Sequence, residues 1–222
     1  HLGASIGGNA QTVFQPMLTY PGGRTDWLGI DDGTRGLPAG KLTGAALGRA
    51  FPNVWSPYRQ KSGSPNYALS ASFGDRAEVR GTRIGYLFAL HYSADSQTRA
   101  EEVQVLNLVD TAQGPQLRPL VQFGNDEGAF ASGAGRYSVR STDGVNWGAM
   151  GTMAVQLAPP HRLSLTALFS QSSDRETRIY QGFSQEQFSE LWNSRLRFVA
   201  RSLGLLQLRG SHHFEPAQRS AS

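Results

Sequence analysis

Alternation of apolar and polar side chains is the dominant pattern along the chain. Between residues 6 and 20 most even positions are apolar, whereas Asn9, Gln11, Gln15 and Thr19 lie between them. Side chains at every second position of a β-strand point to the same face of its sheet. The pattern therefore predicts one strand over residues 6–20, with one apolar and one polar face.

The same alternation predicts two hairpins and one further long strand. In the first hairpin, an odd apolar series at residues 67–73 joins an even series at 84–92 through a polar turn at 74–81. In the second, residues 147–157 and 163–169 are joined by the short connection at 158–161. The final strand carries apolar and basic or polar side chains on opposite faces: Leu196, Phe198, Ala200, Leu206, Leu208 and Phe214 against Arg195, Arg197, Arg201, Gln207 and Arg209.

The connections between these strands alternate in length. Long polar segments at residues 21–64, 95–135 and 172–194 contrast with the short turns at 74–81 and 158–161. Two of the long segments carry helix signals. Alanine and leucine favour a short helix over residues 43–51 before Pro52, and Ser184 to Gln187 form a capping box leading into Phe188, Leu191 and Trp192.

Long strands with this rhythm of connections are typical of membrane barrels, whose periplasmic turns are short and whose extracellular loops are long. We therefore expect an all-β fold, the wall of an antiparallel transmembrane β-barrel. Tyr20, Tyr92, Trp147 and Phe214 lie near predicted strand ends, where interfacial aromatics are expected. A passive porin or autotransporter-type barrel and a soluble β-sandwich binding protein are the alternatives that the pattern leaves open.

Composition excludes several other classes of protein. The chain of 222 residues is 39% hydrophobic, and no window approaches the roughly 18 apolar residues of a membrane-spanning helix. It contains 0 cysteines, which excludes disulfides and thiolate metal sites. The net charge of +4 comes from singly scattered basic residues, so we expect no nucleic-acid partner. The chain starts at His1 without an initiator methionine, from which we expect the natural amino terminus to be missing or removed.

Several motifs carry a family resemblance. The stretch YPGGRTDWLGIDDGTRGLP at residues 20–38 resembles the GG..DWLGFDDGTRALP stretch of a large group of TonB-dependent outer-membrane receptors. FPNVW at residues 51–55 resembles that group's F.N.W element, NWGAMG at 146–151 its WGALG strand, and RSLGLLQLRG at 201–210 its ERSL…QLRG strand. The matches keep their order along nearly the whole chain. Ala200 stands where the group has an acidic residue before Arg-Ser-Leu, so a salt bridge made there by the family is in doubt.

This resemblance implies that residues 1–222 are part of the 22-stranded barrel domain of such a receptor in the outer membrane of a bacterium. It implies a signal peptide and a plug domain with a TonB box upstream of this region, and further barrel strands after it. The partners implied are outer-membrane lipid, the TonB system acting through the plug, and a transported siderophore, cobalamin, oligosaccharide or peptide. The family imports its ligand by energy-coupled transport and is not enzymatic, so no cofactor is expected.

One group of residues is a candidate for ligand contact. The arginines Arg195, Arg197, Arg201 and Arg209 share the polar face of the last strand, and arginines that line a pore favour anionic groups. The alternative is that they pair with acidic residues on neighbouring strands or on the plug. Both interpretations place them on the lumen side of the wall.

Other candidate motifs fail on their chemistry. Residues 36–42, GLPAGKL, lack the glycine spacing and the Ser/Thr of a phosphate-binding loop. His212 and His213 are adjacent on a predicted strand, so they point to opposite faces and do not chelate one metal ion as a pair. Asp31 and Asp32 begin like a calcium loop but lack its later glutamate, which favours a turn. Asp126 with Glu127, and Asp174 with Glu176, fall in predicted loops and are interpreted as solvated charges.

Overall fold

The computed structural model is a β-protein dominated by one large antiparallel sheet. The residues it describes are 1–60, 62–101, 103–123, 137–158, 161–184, 187 and 189–212. The strands are β1 (Leu2–Gly7), β2 (Met17–Thr19), β3 (Tyr58–Gln60), β4 (Asn66–Val79), β5 (Thr82–Ala100), β6 (Val103–Thr111), β7 (Gly114–Phe123), β8 (Tyr137–Ala158), β9 (His161–Ser184) and β10 (Ser189–His212). A 3₁₀ turn at Asp26–Leu28 and the helix α1 (Gly44–Ala50) lie between β2 and β3.

The large sheet is an up-and-down meander with one inserted hairpin. Strands β1, β4, β5, β8 and β9 are neighbours in that order, and β10 pairs with the other edge of β9. The β6–β7 hairpin joins this sheet where β7 pairs with the last three residues of β9. Within the part of the chain that the structure describes, β1 and β10 each pair on one side only, so the sheet is open and does not close into a barrel.

The first predicted hairpin is confirmed, with a tighter turn than the sequence indicated. Strand β4 continues to Val79 and pairs with β5 from Thr82, so only Arg80 and Gly81 form the connection. Both residues have positive φ, 50° and 79°. Positive φ at both residues is characteristic of a type I′ turn. Its backbone matches the right-handed twist of the flanking strands, which is why it is common in two-residue hairpins.

The predicted strand over residues 6–20 is wrong. Strand β1 ends at Gly7, and a compact turn follows in which Asn9 accepts hydrogen bonds from the backbone amides of Thr12 and Val13. Phe14 has a positive φ of 62°, which interrupts extended structure. Strand β2 then pairs with β3 in a separate two-stranded sheet. Glycines and an asparagine directly after Ile6 end the strand despite the continuing alternation.

Two of the predicted long loops are largely strand. Strand β5 extends to Ala100, and the β6–β7 hairpin occupies most of residues 103–123. Residues 172–194 belong mainly to β9 and β10, whose pairing continues up to Ser184 and Ser189. The predicted helix after Ser184 is therefore wrong for Leu191 and Trp192, which lie in β10. Gln185, Glu186 and Phe188, like residues 124–136, 159–160 and 213–222, lie outside the described residues.

The predicted helix over residues 43–51 is confirmed as α1, which begins after Thr43 and ends before Phe51. Residues 8–60, which contain this helix, lie between β1 and β4 in the chain and cross one face of the large sheet. The buried core lies in this contact and includes Met17, Leu18 and Tyr20 from the segment and Val139 and Ile179 from the sheet. The amide of Leu18 donates a hydrogen bond to Ser141 Oγ in β8 at 3.2 Å.

Candidate functional site

The strand register defines two faces with different chemistry. One face, the apolar face, carries the odd residues of β4, β8 and β9 and the even residues of β1, β5 and β10. The opposite one, the polar face, carries their neighbours. The register thus confirms the predicted grouping of Leu196, Phe198, Ala200, Leu206 and Leu208 opposite the arginines of β10.

The apolar face carries an exposed apolar band at the end of the sheet where the Arg80–Gly81 turn lies. Along β5 the band runs from Ile84 to Tyr92, and along the register it includes Leu69, Ala71, Phe73, Tyr86, Phe88, Leu90, Trp147, Ala149, Met153, Val155, Leu163, Leu165, Ala167, Phe169, Leu206 and Leu208. Leu90 is 57% exposed and Leu206 74% exposed. Asp75 is the acidic exception at its edge. A single apolar side chain with this exposure is common on protein surfaces, but a contiguous band of them marks a surface that contacts an apolar partner.

Beyond the band, the same face turns polar and is covered by residues 8–60. Three successive backbone carbonyls of this segment are held by side chains from three adjacent strands. Trp27 O accepts from Tyr92 Oη at 2.7 Å, Leu28 O from Trp147 Nε1 at 2.7 Å, and Gly29 O from Gln171 Nε2 at 2.5 Å. Tyr92 and Trp147, both half-buried, thus pack their rings against Tyr67 and Phe169 of the sheet while their polar atoms hold the segment.

The left-handed turn at Gly29 lets the segment approach the sheet this closely. Gly29 has a φ of 67°, and a Cβ there would lie 2.8 Å from Ser173 Oγ on β9. Only glycine combines this backbone conformation with so little space. The GIDDG stretch at residues 29–33 therefore has a local structural role in this fold, because its first glycine fits against β9 at Ser173, just beyond the apolar band.

Arg35 joins the same segment to the sheet. Its side chain is 5% exposed and donates to Asp26 Oδ2 at 2.5 Å, and its guanidinium lies 4.0 Å from the ring centroid of Phe198 on β10. On the other side of Asp26, Arg175 of β9 bridges to Asp143 of β8 at 2.6 Å. A planar guanidinium can bind a carboxylate and stack on an aromatic ring at once. These contacts place the DDGTR motif residues in a structural cluster.

Asp32 forms the turn predicted in place of a calcium loop. Its carboxylate accepts hydrogen bonds from the amides of Arg24 and Thr34 and from the Thr34 hydroxyl. The hydrogen bond from the Thr34 hydroxyl, followed by those from the two amides, lowers the pKa of Asp32 to about 2. Among the described residues, no group of three or more histidine, aspartate or glutamate side chains is arranged to hold a metal ion.

On the polar face, the extended parts of the strands bring arginines together. Arg99, Arg140, Arg178 and Arg195 occupy one register position across β5, β8, β9 and β10. We refer to them as the arginine row. Only Arg195 lies in a strand that the sequence predicts: Arg99 and Arg178 fall in the predicted loops 95–135 and 172–194, and Arg140 precedes the predicted strand at 147–157. The alternation of Thr177 and Ile179 with Glu176 and Arg178 was the signal for a continuing strand.

Two carboxylates neutralise part of this charge. Glu176, whose side chain is 4% exposed, accepts from Arg195 Nη2 at 2.6 Å and from Arg197 Nη2 at 3.2 Å. Glu101 bridges Arg140 at 2.9 Å and Arg178 at 2.7 Å. Burial by itself would raise the pKa of Glu176, but the hydrogen bond and charge of Arg195, with the charge of Arg197, bring this pKa below its usual value.

The four arginines proposed for ligand contact thus have different surroundings. Arg195 and Arg197 share Glu176, and Arg201 lies 3.3 Å from Asp174, so these three have the acidic partners on a neighbouring strand that the alternative interpretation expected. Glu176 and Asp174 lie in β9, and the prediction that they are solvated loop charges is wrong for the buried Glu176. Arg209 lies at the opposite end of β10, beside a cavity of about 260 Å³ lined by Arg162, Ser164, Arg209 and Ser211.

The described residues thus combine a row of positive charge with a two-faced sheet. Comparisons with protein-family models, with curated proteins and with solved structures gave no match. None of the described helices is long and apolar enough to cross a membrane.

Proposed function

We propose that this chain forms part of the wall of an outer-membrane receptor that imports an anionic ligand by TonB-coupled transport. The observation that carries the proposal is the apolar band on one face of a long-stranded meander. Along β5 it spans Ile84 to Tyr92, and alternate residues over about 9–11 positions are what a tilted membrane-crossing strand requires. The family resemblance of residues 20–38 and 201–210 supports the receptor class over a passive porin.

The polar half of each long strand fits the same proposal. Strand β9 has 24 residues, and its apolar alternation stops near Phe169 while its pairing with β10 continues to Ser184. Backbone groups outside a bilayer still need partners, and side chains there no longer need to be apolar. In this proposal, the part of β9 after Phe169 projects into the external medium and carries the arginine row on the lumen side.

The arginine row indicates the ligand's charge. Arg140, Arg178, Arg195 and the adjacent Arg197 pair with the two carboxylates of Glu101 and Glu176, and Arg99 adds a fifth positive charge to the same face. A surface with this surplus of positive charge attracts anions and orients them through fixed donors. Arg99 is exposed, and the ion pairs of the row described above are made by Arg140, Arg178 and Arg195. Substitution of Arg99 therefore tests ligand recognition without disturbing the carboxylates.

The test of the wall uses environment-sensitive labels along β5. The chain has 0 native cysteines, so single cysteines can be introduced at residues 84–92 in the receptor that contains it, once any cysteine outside this chain is replaced. After reconstitution in lipid vesicles, nitroxide-bearing lipids should quench labels at Phe88 and Leu90 but not at the matched controls Leu87 and Ala89. Quenching without a two-residue period, or a protein that stays in solution without detergent, contradicts the proposed wall.

A second measurement tests the transport mode. Uptake of an anionic ligand should stop when the proton gradient is dissipated and should fall for Arg99→Gln, whereas Arg83→Gln at the opposite end of β5 should leave it unchanged. Uptake that persists without the gradient would assign the barrel to the passive class. Equal effects of the two substitutions would remove the arginine row from ligand recognition.

A further inference from the structure

Two histidines face each other at the turn end of the sheet. His161 is the first residue of β9 and His212 the last of β10, and they are direct partners in the antiparallel register. Their Nδ1 atoms lie 3.0 Å apart, and the ring centroids are 5.1 Å apart. The sequence argument considered His212 only with its neighbour His213, which could not share a face with it; the strand pairing supplies a different partner.

The separation of the two nitrogens has the size of a metal chelate. Imidazole nitrogens bind Zn²⁺ at about 2.0–2.1 Å, so two of them on one ion lie about 2.9 Å apart at a right angle and about 3.3 Å apart at a tetrahedral angle. The observed 3.0 Å lies within this interval. The same distance also suits a hydrogen bond, in which one Nδ1 carries a proton and the other accepts it.

We propose that His161 and His212 form a two-histidine site for a divalent transition-metal ion. Neutral imidazole suits Cu²⁺, Ni²⁺ and Zn²⁺, with Cu²⁺ bound most tightly, whereas Ca²⁺ and Mg²⁺ require oxygen ligands. The two rings are accessible from solvent, and no third histidine or carboxylate among the described residues completes a cluster. The ion takes the place of the proton between the two Nδ1 atoms, and that proton moves through solvent to Nε2 of the same ring, so both imidazoles stay neutral.

Binding at this site would fasten the ends of β9 and β10. The two nitrogens converge only when the strands are paired in this register, so the ion binds the folded sheet and not the unfolded chain. Free ion at 100 times its dissociation constant should then shift the folding equilibrium by about 100-fold toward the folded state. This inference does not depend on the proposed transport function.

The experiment titrates the metal-free full chain, folded in detergent, with Cu²⁺, Ni²⁺ and Zn²⁺ salts alone. All proteins carry His1→Ala, so that the terminal histidine does not contribute. We expect one tight site, with Cu²⁺ affinity lowered about tenfold or more in His161→Ala and in His212→Ala, because even loss of an outer-shell partner costs about 10–100-fold. The matched control His91→Ala, on the polar face of β5, should bind as the parent does.

A direct count of the coordinated imidazoles gives a second test of the site. Pulsed electron paramagnetic resonance of the Cu²⁺-loaded parent should detect two coordinated imidazoles, and His161→Gln, which keeps a polar side chain at this position, should reduce the count to one. An unchanged affinity in His161→Ala, a count other than two in the parent, or no saturable binding would overturn the proposal. The contact would then be an ordinary hydrogen bond between two rings.

Discussion

Glu176 offers the sharpest test of how the polar half of the sheet is stabilised. Its carboxylate accepts three hydrogen bonds, two from Arg195 and one from Arg197, while its side chain is only 4% exposed. In Glu176→Gln the amide keeps the volume, but it loses the charge and directs an N–H₂ group at the guanidinium groups. The substitution therefore removes the ionic interaction without creating a cavity.

The expected cost follows from the exposure of the two partners. Breaking a fully buried ion pair costs about 3–5 kcal/mol. Arg195 and Arg197 are 48% and 52% exposed, so water takes over part of their solvation when the carboxylate is removed. We therefore expect Glu176→Gln to lower the free energy of unfolding by about 1.5–3 kcal/mol at pH 7, the range for hydrogen bonds to charged groups.

The dependence on pH has a defined sign. Because the pKa of Glu176 is lower in the folded protein than its ordinary value of 4.5, the folded state favours the charged form. The stabilisation is fully present above the ordinary pKa and is lost as the pH falls through the folded one. The difference between parent and Glu176→Gln should thus be largest at pH 7 and shrink progressively below pH 4.5.

The assay is urea-induced unfolding of the protein in detergent or lipid vesicles, followed by tryptophan fluorescence at several pH values. Asp174→Asn is the matched control, since Asp174 lies two positions away on the same face and pairs with an arginine that is 64% exposed. Its cost should be about 0–1 kcal/mol. A Glu176→Gln cost no larger than that of Asp174→Asn, or one that persists unchanged in acid, would refute the reasoning.

Three further substitutions test the band and the segment above it. Gly29→Ala should destabilise the anchored segment by more than the about 1–2 kcal/mol of a left-handed residue, because its Cβ also meets Ser173; faster hydrogen exchange across residues 20–35 would report this. Leu90→Arg should cost about 2–4 kcal/mol in lipid and Ala89→Arg much less, and equal costs in vesicle unfolding would contradict a lipid-facing band. Trp147→Phe should lower the free energy of unfolding by about 1–2 kcal/mol, because it leaves Leu28 O without its donor. Urea unfolding measures this cost, and the matched control Trp192→Phe, at an exposed position, should have a smaller effect.

Sequence periodicity was sufficient where packing on one face selects the residues. The even series of β5 and the apolar positions of β10 were placed on the correct face, because an apolar band requires strict alternation over many residues. The antiparallel β4–β5 hairpin and the helix α1 followed from local patterns as well. These features depend on residues close to one another in the chain.

Periodicity failed where backbone pairing rather than apolar packing maintains the strand. The sequence of residues 172–184 predicts a polar loop, yet both edges of this stretch of β9 are paired and its charges are neutralised across strands. Conversely, the alternation before Tyr20 continued past the point where Gly7 and the Asn9 turn end β1. The contact of Glu176 with Arg195 and the meeting of His161 with His212 depend on strand register, which a single sequence does not specify.

The three carbonyls of residues 27–29 connect the covering segment to the relative positions of three strands. Tyr92, Trp147 and Gln171 stand on β5, β8 and β9, and each donates to a successive peptide group. Peptide groups in one turn have fixed spacing, so sliding any of these strands lengthens at least one of the hydrogen bonds. The segment is therefore mechanically coupled to sliding of the strands past one another. A displacement of one strand is transmitted to residues 20–35, and a force applied to those residues is distributed over three strands.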